Sequence, residues 1–145
     1  MIITFCGHST LYGCGDLSEK VRNAIRDNLR KGESVRFYCG GYGAFDELCA
    51  RVCWEMKTEL PNSEVVFVTP YLTKGQQPGG THYDGVVYPP LETVPPRFAI
   101  LRRNEWMVDH SARVIAVWKG SPSGTKNTVM YANRKGVPVI NILNR

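Results

Sequence analysis

The residue types best suited to chemistry lie in 119–128, which reads Lys-Gly-Ser-Pro-Ser-Gly-Thr-Lys-Asn-Thr. Its glycines let the backbone approach a ligand closely, and its serines and threonines supply hydroxyl groups. Residues 127–135 have helical spacing, so free N–H groups at a helix start would face this loop. The pattern predicts a site for a phosphorylated ligand, with an ordinary strand-to-helix turn as the structural alternative. The candidate ligand residues here are Gly120, Ser121, Ser123, Gly124, Thr125 and Thr128.

The order of residues within this loop limits which phosphate-binding motif it can be. Lys126 follows Thr125 here, whereas in a Walker A loop the lysine comes first. The commonest nucleoside-triphosphate motif is therefore excluded.

The loop must be positioned by the elements around it. After Arg113, the segment 113–118 is a continuous apolar run that fits a parallel strand covered on both faces. Earlier short apolar runs predict further strands, and one more is predicted near the end; these four segments are 2–6, 35–39, 64–69 and 137–143. Periodic apolar positions predict helices between the strands. The helices are a segment after a capping box of Asp16 and Glu19, a segment around 48–60, a segment from 97 to 110, and 127–135.

Strands that alternate with helices indicate an α/β fold in which a mainly parallel sheet is doubly wound, with helices on both faces. We expect about five strands in one domain spanning 1–145, interrupted by a long loop over 70–96 that is rich in proline and glycine. Ligands bind such sheets beyond the carboxyl ends of the strands. Two further glycine-bearing loops are predicted at that edge, after the first and second strands: Gly7, His8 and Ser9, and Gly40, Gly41, Tyr42 and Gly43.

Composition sets limits on function. The chain has 145 residues, a net charge of +5 and an apolar fraction of 43%. No apolar stretch approaches the roughly 20 residues that a membrane span needs, and we expect no secretory signal. The five cysteines lack metal-ligand spacing, so we expect reduced thiols in a cytoplasmic protein with no metal and no cofactor. The basic residues are scattered, which permits nucleic-acid binding without requiring it.

Four segments together resemble a known family. These are Phe-Cys-Gly-His-Ser at 5–9, Gly-Gly-Tyr-Gly-Ala-Phe-Asp at 40–46, Arg-Asn-Glu-Trp-Met-Val-Asp-His at 103–110, and residues 118–128. They are similar to the YpsA-type (DUF1273) branch of the SLOG superfamily, which includes the Lonely Guy phosphoribohydrolases and the DNA-processing protein DprA. The resemblance covers the chain except for about 70–96. It implies a Rossmann-like fold that binds nucleotides or nucleotide-derived molecules.

The same resemblance bears on catalysis. In the Lonely Guy enzymes a helix arginine and a glutamate in a PGGxGTxxE motif act in cleaving the bond between base and ribose 5′-phosphate. Arg103 matches that arginine, but Thr128 stands where the glutamate is expected, which puts phosphoribohydrolase activity in doubt. A similar string at 39–47 follows the second strand instead, so the catalytic role does not transfer to Glu47.

Glycosidic cleavage needs a carboxyl group to assist the leaving base. Asp46, behind the second glycine loop, is the best candidate, with capping of the helix start as its structural alternative. We expect Arg103 rather than its neighbour Arg102 to hold a phosphate. A salt bridge from Arg103 to Glu105 or Asp109 is the alternative.

The remaining candidates have equally plain structural alternatives. Asn104 could bind a base or a ribose hydroxyl. His8 could donate to a phosphate or ribose oxygen, or serve only as a local hydrogen-bond partner. Tyr42 and Trp118 could stack on a base or pack under their loops.

Three functions remain open. The leading hypothesis is that the protein senses or sequesters a nucleotide or nucleotide-derived ligand. The second is an N-glycosidase for nucleoside 5′-monophosphates, with Asp46 as acid and base and Arg103 as phosphate ligand. The third is single-stranded nucleic-acid binding like that of DprA. We also expect a homo-oligomer and no membrane partner.

Overall fold

The computed structural model describes residues 1–8, 16–71, 82–120 and 122–144. The strands are β1 (Ile2–Gly7), β2 (Val35–Cys39), β3 (Ser63–Val68), β4 (Gly85–Val87), β5 (Arg113–Val117) and β6 (Val139–Asn141). The α-helices are α1 (Ser18–Asp27), α2 (Ala44–Glu55), α3 (Ala99–Asp109) and α4 (Gly124–Lys135). Short 3-10 helices occupy Met56–Thr58, Pro96–Phe98 and Ile142–Asn144.

The strands form one sheet in the order β4-β3-β2-β1-β5-β6, and every pairing in it is parallel. The predicted α/β doubly wound class is confirmed. The described residues form six strands, one more than the approximate number of five that was expected. The sixth is β4, which lies inside the predicted loop over 70–96. Its three residues lie close to prolines, so they carry too little apolar pattern to be recognised.

Alternating residues along each strand separate the two faces of the sheet. On β1, Ile3 and Phe5 belong to the large core cluster that contains the buried side chains of α1 and α2. Cys6 points to the opposite face, where it packs with Val108 of α3 and Val129 of α4. Helices therefore cover both faces, and each fully buried large apolar side chain contributes about 2 to 3 kcal/mol.

Several boundaries differ from the sequence prediction. Helix α4 begins at Gly124 rather than at 127, because Ser123 acts as its N-cap and accepts a hydrogen bond from the Lys126 N–H at 3.3 Å. The predicted capping box before α1 is absent: Asp16 accepts from the Ser18 N–H, and Glu19 instead pairs with arginines of its own helix. The last strand ends at Asn141, where a 3-10 turn follows.

Within the ranges that the structure describes, no helix has the length and apolar character needed to cross a bilayer.

Candidate functional site

A cleft of about 530 Å³ opens at the carboxyl edge of the sheet. The strand order reverses between β1 and β5, since the chain proceeds outward from β1 in one direction and then restarts on its other side at β5. The cleft lies beyond the ends of these two strands, with Gly7 on one side and Lys119 on the other. Ligands of open α/β sheets bind at such a switch point.

The cleft brings together most of the candidate residues that the structure describes. Those that line it are Gly7, His8, Tyr42, Gly43, Asp46, Arg103, Asn104, Ser123, Gly124, Thr125 and Thr128. Four other candidates are described but are not part of this lining: Gly40, Gly41, Trp118 and Gly120. Ser9 and Ser121 lie outside the described residues.

Helix α4 presents its amino end to the cleft. The first backbone hydrogen bond of the helix runs from the Asn127 N–H to the Ser123 carbonyl at 3.2 Å. The N–H groups of Gly124 and Thr125 therefore precede the helical ladder, and the helix dipole adds partial positive charge there. Thr128 is 4% exposed and donates its hydroxyl to the Gly124 carbonyl at 3.1 Å. This end of the helix can bind an anion, with Thr128 holding its first turn.

The end of β1 is shaped by close packing and by a link to the β5 loop. A Cβ on Gly7 would lie 2.6 Å from Cγ of Phe45, which is fully buried in α2. The next residue, His8, accepts a hydrogen bond at Nε2 from the Lys119 N–H at 3.2 Å. A neutral His8 that accepts at Nε2 carries its proton on Nδ1, which leaves Nδ1 as a donor.

The turn before α2 depends on glycine. Gly41 and Gly43 have φ values of 77° and 97°, in the left-handed region that other residues rarely adopt. Between them, Tyr42 is 46% exposed and its ring lines the cleft, with an edge-on contact to Phe67 at 6.1 Å. The Tyr42 backbone N–H donates to the Asp46 carboxylate. The turn thus exposes an aromatic ring and directs Asp46 into the cleft.

Arg103 is 2% exposed and is held by other parts of the backbone. Its Nη1 donates to the carbonyls of Gly40 at 2.7 Å and Val68 at 2.8 Å, and its Nε donates to Oδ1 of Asn104 at 2.9 Å. Neither alternative salt bridge is recorded for it: Glu105 pairs with Arg102, and Asp109 accepts from Tyr131. Arg103 is therefore a fixed cation in the cleft wall, with Nη2 left to face Asp46 and a ligand.

Asp46 and Arg103 both approach the space over Gly40, without forming a direct ion pair. A Cβ on Gly40 would lie 2.9 Å from Oδ2 of Asp46 and 3.1 Å from Nη2 of Arg103. Burial raises the pKa of the Asp46 carboxyl from 3.8 to about 7, even though the Arg103 charge and the Tyr42 N–H act in the opposite direction. A carboxyl group with this pKa can both release and accept a proton near neutral pH.

The cysteines are buried and reduced where the structure describes them. Cys6 lines the cleft floor, and burial raises the pKa of its thiol far above the ordinary range, with a further rise from the nearby Asp46. Burial likewise raises the pKa of Cys49 and Cys53. Among the described residues, no group of three or more His, Cys, Asp or Glu side chains is placed to hold a metal ion. Cys14 lies outside them.

Five lining residues were missed by the sequence reasoning: Phe5, Cys6, Ile100, Met107 and Lys119. Four of these are core-type residues on β1 and α3 whose apolar pattern signals burial alone. Ile100 is nonetheless 43% exposed, at the cleft mouth. Lys119 adjoins the predicted loop, and its position directly after a buried strand was the available signal.

Trp118 does not lie where a residue that stacks on a bound base is expected. Its side chain packs with Tyr131, Val137 and Val139 around the smaller core cluster beneath α4. Its backbone N–H and carbonyl are both hydrogen-bonded to the side-chain amide of Asn141 in β6. The structure therefore places Trp118 at the junction of β5 and β6, beside the cleft rather than in it.

No protein-family model matches the chain. A curated relative, the uncharacterized SPbeta prophage-derived protein YoqJ of Bacillus subtilis (strain 168), is 26% identical over 140 residues, which amounts to 81% of each chain. Among solved structures, the X-ray structure of the structural-genomics target TM1055 is similar with a TM-score of 0.62 and 17% identity, covering 95% of this chain and 71% of TM1055. The chain is thus similar in sequence to YoqJ, and it has the parallel α/β Rossmann-like fold of TM1055.

Proposed function

We propose that this protein binds a nucleotide or nucleotide-derived ligand in the cleft between the ends of β1 and β5. The observation that carries the proposal is the amino end of α4, which opens into this cleft at the switch in strand order. A helix amino end at such a point suits a phosphate, because unpaired N–H groups and the helix dipole both favour an anion.

The side chains of the lining suggest how a ligand lies. The N–H groups of Gly124 and Thr125 can hold a phosphoryl group, with the Lys119 side chain nearby as a cation. Tyr42 and Ile100 are both exposed apolar side chains of the lining, and a planar base can pack on them. Arg103 can pair with the same phosphoryl group, and Asp46 and Asn104 remain for the ribose and the linking atoms.

The family resemblance supports the same conclusion. Its most specific part comprises Arg103, Asn104 and residues 107–109 before β5 and Gly124 and Thr125 after it. All of these except Val108 and Asp109 line this one cleft. The parallel α/β fold shared with TM1055 is the Rossmann-like fold that this resemblance implies. We therefore propose membership of the SLOG superfamily, in the YpsA-type branch.

A second candidate function is hydrolysis of the N-glycosidic bond of a nucleoside 5′-monophosphate. The observation that favours it is the Asp46 carboxyl, whose pKa of about 7 suits proton transfer at neutral pH. Thr128 cannot take over this role, because threonine has no carboxyl group. Its hydroxyl group is also already used within α4. Asp46 would then donate the proton to the leaving base and activate the attacking water.

Calorimetric titration with nucleoside mono-, di- and triphosphates and with dinucleotides tests the binding proposal. Gly124→Glu places a carboxylate at the cleft end of α4, where an added Cβ has open space within 4 Å. We expect it to weaken binding by more than about ten-fold, or 1.4 kcal/mol. Asn127→Glu is the matched control, because it adds the same charge to the same helix turn at an exposed position outside the lining.

The proposal fails if none of these ligands binds, or if the two variants weaken binding equally. Chromatography of the same mixtures for released base tests the enzymatic alternative. Product formation that Asp46→Asn abolishes supports hydrolysis. If the wild-type protein binds a nucleotide tightly and releases no base, the hydrolysis alternative is refuted.

A further inference from the structure

The cleft contains a half-buried carboxyl group, Asp46, close to a buried cation, Arg103, and a bound anion must disturb their balance. Arg103 cannot leave the wall, because Gly40, Val68 and Asn104 hold its Nη1 and Nε atoms. Its remaining nitrogen, Nη2, and Oδ2 of Asp46 both face the space over Gly40, although the two side chains form no direct ion pair. An anionic ligand that reaches Arg103 therefore encounters a carboxylate at the same place.

The surroundings of Asp46 give that carboxylate little other support. The thiols of Cys6 on β1 and Cys49 on α2 stay uncharged at neutral pH, since burial raises the pKa of both. Glu47, the next residue on α2, adds negative charge. Apart from the Tyr42 N–H, the group recorded as stabilising ionised Asp46 is Arg103. Among the described lining residues, His8 and Lys119 are the other groups that can carry positive charge.

An anionic ligand that binds at Arg103 would be repelled by ionised Asp46. Two negative charges would share one fixed buried cation, and like charges at close range repel each other. Protonating Asp46 removes this repulsion and leaves the Arg103 charge to the ligand. A neutral carboxyl can also donate its proton to an oxygen of the ligand.

We propose that the cleft binds its anionic ligand together with one proton, an inference that rests on the proposed function. The Asp46 carboxyl takes up this proton from solvent. Arg103 is then a positioning residue that sets the charge of Asp46 in the free protein and pairs with the ligand in the complex. Binding is consequently tighter at lower pH, and Asp46 is the group that makes it so.

Sulfate is a suitable probe, because it keeps its two negative charges throughout the neutral pH range. Binding is followed on the amide NMR signals of Gly124 and Thr125 at constant ionic strength. With Asp46 titrating at about 7, we expect sulfate to bind wild-type protein about ten-fold more weakly near pH 8 than near pH 6. Asp46→Asn should bind equally at both pH values, as tightly as wild type near pH 6.

His8→Gln is the control for the imidazole of the cleft lining, and it should keep the pH dependence of wild type. The inference is overturned if wild type shows no pH dependence, if Asp46→Asn retains it, or if sulfate does not bind. Nucleotide binding without this pH dependence leaves the proposed function intact while refuting the proton uptake. If sulfate binds with this pH dependence but no nucleotide binds, only the proposed function is refuted.

Discussion

At the residue scale, two adjacent arginines on α3 have opposite environments. Arg102 is exposed and pairs with Glu105 at 2.7 Å, one helical turn away. Arg103 is 2% exposed and donates to carbonyls that lie 63 and 35 residues away in the sequence. About 100° of helical rotation separates two neighbouring side chains, which is enough to direct one to solvent and the other into the cleft wall.

Replacing each arginine by methionine should therefore give very different stabilities. Arg103→Met leaves two buried carbonyls without a donor and Asp46 without its cation, so we expect the free energy of unfolding to fall by about 3 to 5 kcal/mol. Arg102→Met removes one surface ion pair and should cost less than about 1 kcal/mol. Urea denaturation of both variants measures the difference. Similar losses in the two variants would refute the buried role of Arg103.

The sequence could distinguish these two arginines only in part. Helical spacing predicts that one of them faces the site, and the resemblance selects Arg103. Its partners could not be predicted, because backbone carbonyls have no residue-type signal and because Gly40 and Val68 come near α3 only through the order of the strands. Ile100 was missed for another reason, because its residue type predicts burial rather than a place at the mouth of a cleft.

At the element scale, the end of β1 lies directly against the start of α2. Gly7 is in contact with Phe45 in a way that leaves no space for a Cβ. The sequence predicted the strand, the glycine loop and the helix behind the next loop. It assigned Gly7 to ligand binding, and the structure shows a packing requirement at this position as well.

Gly7→Ala should destabilise the protein through this contact. The added methyl group would overlap the fully buried Phe45 ring, and we expect a loss of about 1 to 3 kcal/mol in the free energy of unfolding. Gly85→Ala in β4 is the matched control, since a Cβ there meets no atom within 4 Å and the backbone is not left-handed. It should change stability by less than about 1 kcal/mol. Equal effects in thermal or urea unfolding would contradict the packing argument.

At the scale of the whole molecule, the Asp46 carboxyl couples folding to pH. Its pKa in the folded protein is about 7, well above the ordinary value of 3.8. The folded state therefore holds this proton more tightly than the unfolded state does. The resulting stabilisation is present at low pH and is lost as the pH rises through that interval.

Asp46→Asn provides the reference that isolates this effect from other titrating groups. We expect the difference in unfolding free energy, wild type minus variant, to decrease by at most about 1.4 kcal/mol per pH unit up to the folded pKa, and to be level above it. Urea denaturation of both proteins at intervals of one pH unit measures the difference. A constant or rising difference would show that Asp46 ionises normally in the folded protein.

Another cavity lies at the opposite edge of the sheet, and it is not part of the proposed nucleotide site. The second, of about 510 Å³, lies at the amino edge and is lined by residues such as Ser34, Asn62 and Glu64. Amide NMR titration with AMP distinguishes the two most directly. We predict saturable shifts at Gly124, Thr125 and Gly43, with little change at the amino edge. Shifts confined to the amino edge, or none at all, would contradict the account.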